Sequence, residues 1–169
     1  MAAAQHDLPE HGAAERLWGH ALYLSGNAHD ALSHLELGLQ MWERIGDCFE
    51  IAQCRRLLAL VKNDLGDDAA AWQLNLQALT SFAKLPAKGE LATMRDGGPI
   101  KHILAGAPSK VASLCRREML SAGWARVSSD TSPLPEGGAH LRFMLAGQQV
   151  DIDITADKDG SGVTLVLSG

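Results

Sequence analysis

From about residue 10 to residue 85, apolar side chains recur every three or four positions. Ala14, Leu17, Ala21 and Leu24 form the first run, and Leu32, Leu35, Leu39 and Trp42 the second. Ile51, Leu57, Leu58 and Val61 follow, then Trp72, Leu76, Leu79 and Phe82. That spacing matches the helical period of about 3.6 residues, so each run is expected to be the core face of an amphipathic helix. No proline interrupts the stretch between Pro9 and Pro86. Breaks fall at Gly26, Gly46 and Gly66, each followed by Asn or Asp, which supply turn and N-cap chemistry. The pattern predicts four helices, at about 10–25, 28–45, 48–65 and 68–85.

Beyond residue 85 the pattern changes. Residues 86–98 are rich in Gly, Pro and charge and read as a linker. "PIKHILAG" predicts a short strand, and "PSKVASLCRREMLSAGW" a helix opened by Pro108 and closed by Gly123. "HLRFMLAG", "QQVDIDITA" and "GVTLVLSG" read as strands joined by short turns, with Val150, Ile152 and Ile154 inward and Asp151 and Asp153 toward water. Residues 128–138 read as a polar loop. The expected class is α+β overall: helical hairpins over 1–85, then one helix on a mostly antiparallel sheet over 99–169.

Shifted by forty residues, the first helical pair overlies the second. Leu17 meets Leu57, Gly19 meets Ala59, Gly26 meets Gly66 and Ala31 meets Ala71. Gly38 meets Ala78, Leu39 meets Leu79 and Trp42 meets Phe82, so size class is kept at every pair. Amphipathic helices need apolar residues, but not small ones at fixed places. Gly38 is the sharpest case, because an interior helical glycine costs roughly 1 kcal/mol relative to alanine. Close approach of two helices is the expected compensation.

The small residues Gly19, Gly26, Ala31 and Gly38, repeated as Ala59, Gly66, Ala71 and Ala78, resemble the tetratricopeptide repeat, whose small positions follow the same spacing. The unit here is forty residues against the usual 34, and Glu15 and Arg55 stand where that family places a large aromatic. The resemblance covers about 10–85 and implies a concave, partner-binding face lined by the first helix of each hairpin. It assigns Arg16, His20 and Tyr23 to that face, with Gln53, Arg56, Leu60 and Asn63 from the second hairpin. Arg16 and Arg56 lie one repeat apart. Either they grip a carboxylate or acidic peptide bidentately, or they are solvated arginines whose stems cover apolar surface. The Lys and Asn pattern of the family's chaperone-tail clamp is not reproduced. Two hairpins are few for such an array, so the α+β half caps them or the chain forms a homodimer. The α+β half is assigned to no family.

Composition narrows the function further. A net charge of −5 and a pI near 5.7 argue against a nucleic-acid partner or docking on anionic membranes. No secretory signal or long apolar run is visible, and three cysteines without C-x-x-C spacing fit a reducing, cytoplasmic setting. Cys48 reads as a small buried hydrophobe, with a reactive thiol as the alternative. The seven histidines, His6, His11, His20, His29, His34, His102 and His140, show no metal-ligand spacing and read as surface or capping residues. "TADKDGSG" departs from a calcium loop at Val166, where the bidentate Glu would stand, and reads as a hairpin turn with positive φ at Gly160 and Gly162. "GAPSK" is not a phosphate loop, and Ser128, Ser129 and Asp130 lack a nucleophile context. No catalytic set, metal site or cofactor is expected. The expected function is a non-enzymatic adaptor or co-chaperone that binds a protein or peptide. The alternative is an accessory or regulatory subunit whose α+β half binds a small ligand or dimerises.

Overall fold

A computed structural model describes residues 7–85, 91–92, 94, 98, 100–127 and 138–168. The chain is α+β and divides into two compact units, Met1–Ser81 and Phe82–Gly169. The expected loop at 128–138 lies almost wholly outside the described residues. Of the expected linker at 86–98, residues 91, 92 and 94 are helical, with Leu91 and Met94 buried.

Four helices open the chain: α1 (Leu8–Leu24), α2 (Ala28–Ile45), α3 (Cys48–Asp64) and α4 (Asp68–Lys84). Their stops recur with the forty-residue offset. Gly26 and Gly66 adopt left-handed φ of 87° and 80°, which glycine reaches without a Cβ penalty. The next amide then reaches back over the helix end, Asn27 N–H to Leu22 C=O at 2.9 Å and Asp67 N–H to Lys62 C=O at 2.8 Å. Asp47 caps α3 by accepting from the amides of Phe49 and Glu50, both at 3.0 Å.

The first unit's core is built from Ala31, Leu35, Leu57, Leu58 and Val61, with Leu22, Tyr23, Leu32, Leu39 and Leu74 packed around them. Helices α1 and α2 pack closely, and their contact depends on missing side chains. A Cβ added at Gly38 would lie 3.2 Å from the Arg16 backbone nitrogen and 3.3 Å from the Gly12 carbonyl oxygen. One added at Gly19 would lie 2.6 Å from Leu35 Cγ, and one at Gly12 3.0 Å from the Trp42 indole. The backbones therefore touch, and dispersion between them offsets the glycines' helical cost. Ala31, Ala59, Ala71 and Ala78 are all fully buried.

One expectation fails here. The apolar run of α1 is not its core face, because Ala14, Leu17, Ala21 and Leu24 are exposed while Gly12 and Gly19 are buried. The reason is the glycine seam itself. Helix α1 meets α2 where it has no side chains, which rotates its apolar stripe outward.

In the second unit, β1 (Ile100–Leu104) leads to α5 (Pro108–Ser121), then β2 (Ala125–Arg126), β3 (Ala139–Leu145), β4 (Gln148–Asp157) and β5 (Gly160–Ser168). The five strands form one antiparallel sheet in the order β1-β5-β4-β3-β2. Ala146 and Gly147, at φ of 50° and 81°, make the two-residue turn that fixes the β3–β4 register. Alternation buries Leu141, Phe143, Val150, Ile152, Ile154, Val163 and Leu165 on one face. Val111, Ala112, Cys115 and Met119 are the buried residues of α5, which packs on the sheet, and Trp124 is buried just beyond its end.

Two smaller expectations, at His102 and Gly162, are corrected, and the hairpin turn at "TADKDGSG" stands as expected. His102 is a core residue, because its position on β1 shares the inward face with Leu104. Gly160 has φ of 154° and sits where a Cβ would come 2.5 Å from the Leu104 carbonyl oxygen, whereas Gly162 has no positive φ and lies within β5. The "TADKDGSG" segment forms the β4–β5 turn, in which Asp157 Oδ1 accepts from the Asp159 amide at 3.2 Å.

Candidate functional site

The residues assigned to a partner-binding face lie on α1 and α3, and two contacts bring those helices together. Arg16 on α1 meets Glu50 on α3, Nε to Oε2 at 2.8 Å. Both atoms are sealed from solvent, and the N–H is not aimed along the line between them, so the contact is an ion pair without a well-aligned hydrogen bond. Seven residues on, Tyr23 comes under the influence of Asp64: burial first, then the attraction of its phenolic proton to the Asp64 carboxylate, push the Tyr23 phenol up to about 12.

Arg16, His20 and Tyr23 thus form a half-buried row on α1, at helical spacings of four and three. Gln53, Arg56, Leu60 and Asn63 form the corresponding row on α3, where Leu60 is 37% exposed and the others are half-buried. The Arg16 charge is already matched by Glu50. A pair of open arginines one repeat apart is therefore not what the structure presents.

Ion pairs also edge the α2–α3 contact, Arg55 with Glu43 at 3.0 Å and Lys62 with Glu36 at 3.9 Å. Beneath them Cys54 is fully buried, and burial pushes its thiol up to about 12 against the opposing pull of Arg16. Cys115 is likewise buried and pushed up to about 12, first by burial and then by Glu118. Cys48 is exposed at the first position of α3, which corrects its reading as a buried hydrophobe: the cap at Asp47 leaves the first helical residue at the rim. Among the described residues, no three His, Cys, Asp or Glu side chains gather as metal ligands. Among them also, no helix is long and apolar enough to cross a membrane.

Two features escaped the linear pattern. The first is a lattice on the outer face of the sheet. Asp151, only 8% exposed, accepts from Arg142 Nε at 2.6 Å and from Gln149 Nε2 at 2.9 Å. His140 Nδ1 lies 2.5 Å from Asp153 Oδ1, and its Nε2 is 3.5 Å from Asp151. Asp151 therefore does not point to water as expected, because cross-strand neighbours close over it. The pairings 140–153 and 142–151 follow from the tight turn at 146–147, so the signal was present in the alternation. The second feature is the exposed stripe on α1, where Leu17, Trp18 and Leu24 are 59%, 60% and 73% exposed. His34 on α2 edges this stripe, stacking edge-on with Trp18 at 6.3 Å and bonding to Glu15 at 2.6 Å.

Comparison of the chain with protein-family models, with curated proteins and with solved structures finds no match.

Proposed function

We propose that the first unit is a tetratricopeptide-like pair of hairpins, acting as a non-enzymatic adaptor that binds a protein or peptide along the α1 and α3 rows. One observation carries the reading: the Arg16–Glu50 ion pair links the first helices of both hairpins, each with its row of half-exposed, mixed-polarity side chains. Such a surface suits a partner that offers both apolar and polar contacts, with exposed Leu60 taking the first. The buried, protonated thiols of Cys54 and Cys115 support the non-enzymatic reading, since a thiolate and not a thiol is the nucleophile.

Arg16 is a poor probe of this function, because Arg16→Glu would set two carboxylates against each other. The test is capture of a partner from native extract by the wild type and by Arg56→Glu with Leu60→Glu. The double variant is expected to fold normally and lose the partner. Capture undiminished in that variant would refute the reading.

The Asp151 lattice favours a second reading, an accessory subunit whose sheet binds a small polar ligand. It predicts ligand-dependent protection of 139–168 in hydrogen exchange that is indifferent to Arg56→Glu.

A further inference from the structure

We draw no further inference here: the strongest candidate, the exposed apolar stripe of Leu17, Trp18 and Leu24 along the outer face of α1, has nothing in the structure that shows what covers it.

Discussion

Helices α1 and α3 carry matched apolar faces forty residues apart, and the structure treats them oppositely. Leu57, Leu58 and Val61 are sealed in the first unit's core, whereas Leu17 and Trp18 stand in solvent. Periodicity states that a helix has an apolar stripe. It does not state what lies against that stripe, which depends on the neighbour. For α3 the neighbour is α2. Helix α1 also packs on α2, but through Gly12 and Gly19, because α2 brings Gly38 into contact with the α1 backbone. The comparison teaches that in a stacked array, small residues fix the hand of packing while large ones only mark faces awaiting cover.

Substitutions at equivalent places break or sharpen this contrast. The largest effect is expected at Leu57→Ala, which leaves a cavity in a closed core and should cost about 2–5 kcal/mol by urea unfolding. Gly38→Leu comes next. Its side chain would enter the α1 backbone at Arg16 and Gly12, and overpacking should cost about 1–3 kcal/mol; an unchanged melting midpoint would remove the seam from the account.

A smaller effect is tied to pH. In the unfolded chain the Cys54 thiol ionises near its ordinary 9.0, whereas in the fold it keeps its proton up to about 12. Across that window the unfolded state binds fewer protons, so stability falls as pH rises from 9 towards 12. Cys115 and Tyr23 act in the same direction. Urea midpoints at about pH 8 and about pH 10.5 should show the loss, and Cys54→Ala should lessen it. The smallest effect is expected at Leu17→Ala. This side chain stands in solvent, so stability should move by no more than about 0.5 kcal/mol, and a cost matching Leu57→Ala would erase the contrast.

Much of the fold was legible because local chemistry decided it. Gly26, Gly46, Gly66 and Gly123 all take left-handed φ where a helix stop was expected, and the alternation of Val150, Ile152 and Ile154 gave the sheet its inner face. The paired small residues located the helix crossings at Gly19 and Gly38. What stayed hidden was tertiary. Arg16 and Glu50 are 34 residues apart and share no pattern, so nothing in the sequence announced that a candidate ligand-binding charge would be matched internally. His102 reads as a polar residue on a short strand, and only the pairing of β1 with β5 turns it into the core. The outward rotation of the α1 stripe follows from two glycines that a hydrophobic pattern does not register.

Position 14 offers the most direct test, since its counterpart one repeat on is the native Cys54. Ala14→Cys, combined with Cys48→Ser, places equivalent thiols on the open and the covered face of one folded molecule. The account predicts that an alkylating reagent modifies the thiol introduced at position 14 at nearly the rate of a small free thiol, and Cys54 only when the protein unfolds. Equal protection at the two positions, or rapid labelling of Cys54 in the folded state, would contradict it.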